Sequence, residues 1–188
     1  MTFAPGERSQ LVAKFDIGGR RGVQTKTVTI PVEGAMPGVE LMDLPGIDAP
    51  SDKARRDTEE ALANDVDVTI FVKDVTRPSL VRNEIELLRM AQTADRSISL
   101  KDRIFVVLTK VDLFDHPDEN GNWHWSLAAR NFNAQGVDRV FPYSKVWVHK
   151  GPDLNHPVTR QVMDYYGTTV PVTGLDRLQK AIEHYLST

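Results

Sequence analysis

The sequence has no cysteine, which excludes disulfide scaffolding, thiolate metal sites and cysteine nucleophiles. It has no apolar run approaching membrane-spanning length, and Met1 to Arg8 lacks the apolar core of a signal peptide. Charge of one sign is also missing: 23 Lys and Arg against 26 Asp and Glu leave a net charge of −3. Nothing global therefore attracts the chain to nucleic acid or to an anionic membrane. The expectation is a soluble cytoplasmic protein. Its 188 residues suffice for one globular domain, 1–188.

What is present centres on Val39 to Ile47, VELMDLPGI. A short apolar segment runs into Asp43, then a turn-forming Pro45, then Gly46. In an open α/β sheet the carboxyl ends of strands are where ligands bind. A carboxylate there suits hydrated Mg²⁺, and a glycine three residues on lets backbone N–H groups approach an anion. The same Asp-x-Pro-Gly also makes an ordinary turn.

A second motif follows at Ile104 to Asp112, IFVVLTKVD. Its continuous apolar run fits a parallel strand buried on both faces. It ends in Thr109-Lys110-Val111-Asp112, where a carboxylate is able to accept two hydrogen bonds from the N–H edge of guanine and a lysine stem to lie over the ring. A strand that simply reaches solvent also ends in charged residues. The interval between the motifs has room for two strand–helix units.

Together, DLPG and TKVD resemble the Asp-x-x-Gly and (Asn/Thr)-Lys-x-Asp signatures of P-loop GTPases, in wording most similar to dynamin-like and related large GTPases. The resemblance runs from about Val28 to the C-terminus. It implies a P-loop NTPase-type three-layer α/β sandwich, mostly parallel with antiparallel edge strands. It further implies GTP/GDP and Mg²⁺ as ligands and GTP hydrolysis by a molecular switch or mechanochemical domain. Asp43 would hold Mg²⁺, Gly46 would bind the γ-phosphate, and Thr109, Lys110 and Asp112 would read guanine, with Ser144 and Lys145 lining the base pocket. The family's threonine ahead of the Asp-x-x-Gly strand, which completes the Mg²⁺ shell, falls on Thr25 in preference to Thr27; a threonine on an exposed strand face reads the same. An activating protein or a second copy of the chain is the partner implied.

No Gly-x-x-x-x-Gly-Lys-(Ser/Thr) occurs in the sequence. Gly18 to Gly22 is glycine-rich but lacks the lysine and hydroxyl, and the residues after it read as a strand where the phosphate loop needs a helix. It reads as a hairpin turn. The fold is thus expected to lack its first strand, phosphate loop and first helix, leaving a strand edge open beside the Asp74 strand. Position 47 is Ile, so no glutamine orients water there. A GTPase-like fold serving as an interaction or scaffold module is the alternative reading.

The remaining expectations are structural. Leu11–Ile17, Val23–Val32 and Val39–Met42 form a largely antiparallel array; Asp52–Asn64 is a helix. Val66–Val72 is a strand, followed by a helix whose core stripe includes Val81, Ile85 and Leu88. His116 to Gly121 lacks the acids of a calcium loop. Trp123 to Trp125 reads as either a contact surface or packing beneath a loop. Ser126–Gln135 is a helix stopped by Gly136, Arg139–Tyr143 the last strand, and Val146–Val172 irregular. Thr173 to Asp176 caps a final helix with Leu175, Leu178, Ile182 and Tyr185 inward.

Overall fold

The computed structural model describes residues 9–19, 22–32, 40–44, 56, 58–62, 67–94 and 103–187. The chain divides into two compact units, Met1–Asp65 and Val66–Thr188.

In the first unit, β1 (Ser9–Gly19) and β2 (Gly22–Val32) form an antiparallel hairpin, closed where Gly19 faces Gly22. Gly18 and Gly19 thus end one strand and Gly22 begins the next, while residues 20 and 21, where the turn is expected, lie outside the described residues. β3 (Glu40–Asp43) adds to β1, and the strand order is β2-β1-β3. One expectation needs correcting: β1 and β3 run parallel, Gln10 beside Glu40 and Ala13 beside Asp43. The array is mixed because the chain returns to the starting end of β1 before β3 begins. Residues 58–62 are helical, with Ala61 and Leu62 buried.

The second unit is a parallel sheet in the order β4-β5-β6, made of β4 (Thr69–Asp74), β5 (Ile104–Thr109) and β6 (Val140–Pro142). Around it lie α1 (Arg82–Ala94), α2 (His124–Asn133), α3 (Lys145–Lys150), α4 (Pro157–Tyr165) and α5 (Leu175–Ser187). β5 is the centre, and Ile104 to Leu108 are all buried. Side chains alternate across a strand. Phe71, beside Val106, meets Phe132 of α2 edge-on at 5.4 Å, while Phe105 meets Tyr185 of α5 on the other face at 6.2 Å. Helices thus cover both faces, as a parallel sheet demands. Full burial of Phe132 alone contributes roughly 2–3 kcal/mol.

Among the described residues β4 is an edge strand. Ile70 and Val72 share one of its faces and are 37% and 65% exposed.

Some helical positions differ from expectation. Val81 precedes α1 and is exposed, its N–H donating to the Glu84 carboxylate at 2.8 Å, while Leu88 supplies the buried contact. Leu175 is likewise exposed, leaving Leu178 and Ile182 to carry α5. α3 and α4 occupy the stretch expected to be irregular. Ser144 caps α3 and His156 caps α4, with Pro157 at its first turn. α2 ends as expected: Gly136 has φ of 83°, and the Val137 N–H donates to Phe132 O at 3.1 Å. Trp125 is buried against Tyr165 and His124 stacks on Phe114 at 3.8 Å, so this aromatic run is packing.

Candidate functional site

The parallel register brings three strand ends to one edge. Asp74 lies beside Thr109, and Leu108 beside Pro142, so the segments after β4, β5 and β6 leave the sheet together. Backbone bonds tie the first two: Val75 N–H donates to Thr109 O at 3.2 Å, and Thr109 Oγ to Lys73 O at 3.3 Å. Thr109 is therefore a brace between strands. From β6, Tyr143 N–H donates to Leu108 O at 2.8 Å.

Lys110 then turns the chain. Its φ and ψ are 64° and 29°, the left-handed region, and among the described residues it is the one non-glycine with positive φ. That conformation costs about 1–2 kcal/mol, a strain that collects at functional sites. The 3₁₀ turn Val111–Leu113 follows, anchored by buried Val111 and by Leu113 N–H donating to Lys110 O at 3.2 Å. Asp112 is half-exposed on this turn, and its carboxylate forms no hydrogen bond or ion pair with any described residue. An accessible carboxylate on a fixed turn is an acceptor for a pair of parallel N–H donors.

The Lys110 ammonium pairs with Asp74 Oδ2, whose other oxygen accepts from Thr76 N–H at 2.8 Å. Burial pushes the Asp74 carboxyl up, but these hydrogen bonds and the Lys110 charge outweigh it and hold it down to about 2. Asp74 was not among the residues singled out from the sequence. It had the same signal as Asp43, an acid closing an apolar strand before a turn.

Ser144 is fully buried, and its hydroxyl accepts from Trp147 N–H at 3.3 Å as the cap of α3. Lys145, the first residue of α3, is exposed. A close approach fixes this corner. Gly174 has φ of 84°, and a Cβ there would stand 2.0 Å from Pro142 O.

In the first unit, Asp43 ends β3 beside Ala13, and Thr25 on β2 lies beside Asp16. By that register Thr25 is about 10 Å further along the sheet than Asp43 and about 10 Å across it, with β1 between. The strands do not bring the two together. Gly46 lies outside the described residues. Among the described residues no group of three metal-type ligands occurs, and no helix is long and apolar enough to cross a membrane.

A parallel α/β sheet whose central strand ends in Thr-Lys-x-Asp on a strained turn is the arrangement of a small GTPase-type P-loop fold. A family model, the Gtr1/RagA G protein conserved region, matches residues 20–125, more than half of the chain. The chain belongs to that family of GTP-binding GTPases. The matched span includes Asp43, Gly46 and Thr109 to Asp112 but ends before Ser144. It gives no support to the dynamin-like placement expected from the motif wording. No curated protein and no solved structure matches the chain.

Proposed function

We propose that this chain is the guanine-nucleotide domain of a GTP-dependent switch. The observation that carries the reading is the half-exposed, unpartnered carboxylate of Asp112 on the turn that follows left-handed Lys110. In this reading Asp112 accepts the N1 and N2 hydrogens of guanine, and the Lys110 stem covers the ring. Thr109 braces the loop, and the backbone at Ser144 and Lys145 faces the base oxygen. Adenine offers no matching donor pair, so ATP is rejected.

On the phosphate side, the chemistry of a strand-end carboxylate suits Asp43 to Mg²⁺ through water, and the Gly46 N–H is assigned to the γ-phosphate. Bound Mg²⁺ supplies neutralisation of the phosphate charge. Thr25 enters as the family's hydroxyl ligand; with β1 paired between it and Asp43, that role requires the strand pairing to change. Hydrolysis by in-line attack of water needs an orienting group from elsewhere in the chain or from an activating partner, since Ile47 has none to offer.

The pairing of Gly19 with Gly22 favours a second reading, a non-hydrolysing interaction or scaffold module, because the glycines end one strand and begin the next. A switch suits the family match better than a mechanochemical dynamin-like domain.

Titration with fluorescent GTP, GDP and ATP, with and without Mg²⁺, separates these readings. The switch reading expects guanine nucleotides to bind and ATP not to. Asp112→Asn should weaken GDP binding about 10- to 100-fold, from loss of a charged acceptor worth about 1.5–3 kcal/mol. It should improve binding of xanthine nucleotides, whose C2 oxygen accepts the donor that Asn presents. Equal binding of GTP and ATP by the parent protein would sink the reading.

A further inference from the structure

Resting on the guanine reading above, we propose that Asp74, at the end of β4, is a positioning residue for base recognition: it tethers Lys110 so that the lysine stem lies across the ends of β4 and β5. Asp74 and Thr109 are neighbours in the parallel register, and Lys110 is the next residue along. Its ammonium nevertheless returns to Asp74 Oδ2. Adjacent strands are about 4.8 Å apart, a gap that a four-carbon stem bridges when it runs along the sheet edge. The stem is thereby held at both ends, at its Cα by the left-handed turn and at its nitrogen by Asp74. It presents an apolar flank beside Asp112, two residues on.

The tether is poorly explained as a fold element. The side chains of Lys110 and Asp74 are 54% and 39% exposed, and such pairs contribute little to folding while they restrict a flexible lysine. Asp74 is itself fixed, since Thr76 N–H holds Oδ1 and leaves Oδ2 for Lys110. A rigid acceptor aimed at one mobile cation is what pre-organising a stacking surface requires. Loss of the tether lets Lys110 swing into solvent, so each base must order the stem anew on binding.

The test uses the full chain and a double-mutant cycle read by fluorescent GDP and ATP binding, with thermal melting as the check on folding. Asp74→Asn should weaken GDP binding about three- to fivefold, with ATP still not bound. Lys110→Ala should weaken GDP binding at least as much, and adding Asp74→Asn to it should change nothing further. Asp74→Glu, which keeps the charge on a longer arm, should retain the guanine preference. Asp74→Ser, which preserves an acceptor for Thr76, stands in if the Asn variant does not fold. Unchanged or tighter GDP binding in Asp74→Asn overturns the proposal, as does an equal loss in the Lys110→Ala background, which would make the effect one of folding. A parent protein that does not distinguish GDP from ATP overturns the guanine reading itself, a separate result seen before any variant is made.

Discussion

The two units each close a short parallel strand with an acid, and they differ in what surrounds it. In the second unit the acid at the end of β4 is tied to Lys110 and Thr76, and the segment after β5 is braced to the chain beside it. In the first, Asp43 closes β3, while Gly19 and Gly22 are facing ends of paired strands and the preferred hydroxyl candidate, Thr25, lies on the far side of β1. Reading a base takes side chains at the ends of adjacent strands, which ordinary parallel pairing delivers. Cradling phosphates takes a row of backbone N–H groups from a loop entering a helix, and a hairpin turns its N–H groups into strand pairing instead. On the proposed reading, the described residues therefore carry the base side of the site more fully than the phosphate side.

That contrast breaks most visibly at Gly174. Its left-handed φ already disfavours any side chain, and a methyl group would stand 2.0 Å from Pro142 O, a backbone atom at the end of β6. Gly174→Ala should destabilise the second unit by about 3 kcal/mol or more. All three tryptophans, Trp123, Trp125 and Trp147, lie in that unit, so a urea transition followed by tryptophan fluorescence reads it selectively. A midpoint unmoved by the substitution would mean that the β6 corner is not held by this approach.

The next effect concerns Lys73. Its side chain is 6% exposed, and the ammonium is bonded to both Glu84 oxygens at 2.8 Å and to Ser79 O at 2.9 Å. Glu84→Gln leaves a buried cation without its counter-charge and should cost about 2–3 kcal/mol. Lys73→Met in the same chain should recover most of that loss, because removing a buried pair is cheaper than halving it. A Glu84→Gln protein as stable as the parent would show that Ser79 and solvent suffice for Lys73.

Much of this was legible in the sequence because the signals were periodic. IFVVLT fits a strand buried on both faces and Gly136 is a good helix stop, so β5 and the end of α2 follow from local pattern. Asp-x-x-Gly and Thr-Lys-x-Asp identified a GTPase from residue types alone. What escaped was non-local. The parallel pairing of β1 with β3 depends on where the chain re-enters the sheet, which no local pattern records. α3 and α4 were hidden by surrounding prolines and glycines, although Ser144 and His156-Pro157 were adequate starting signals. Asp74 was passed over because its partner Lys110 lies 36 residues away, and only the register of β4 on β5 makes them neighbours.

The smallest expected effect tests whether Asp74 serves the fold at all. Its carboxyl is held down to about 2 against an ordinary 3.8, so the charged form is favoured in the folded state. The stability it contributes is present above pH 3.8 and is lost as pH falls from there towards 2. With the carboxylate 39% exposed, solvent screening limits that contribution to under about 1 kcal/mol. Asp115 and Asp118 are also held below the usual carboxylate range, by His116 and by the backbone N–H of Asn122 respectively, so the parent's acid profile mixes several groups. The difference between the parent and Asp74→Asn, measured by urea unfolding from pH 6 to pH 2.5, isolates the one group. A gap below about 1 kcal/mol that closes on acidification, and shrinks in 1 M salt, leaves the pair free to serve base recognition. A gap of several kcal/mol would make Asp74 a structural residue first, and the proposed base recognition would then rest on Asp112 and Lys110 alone.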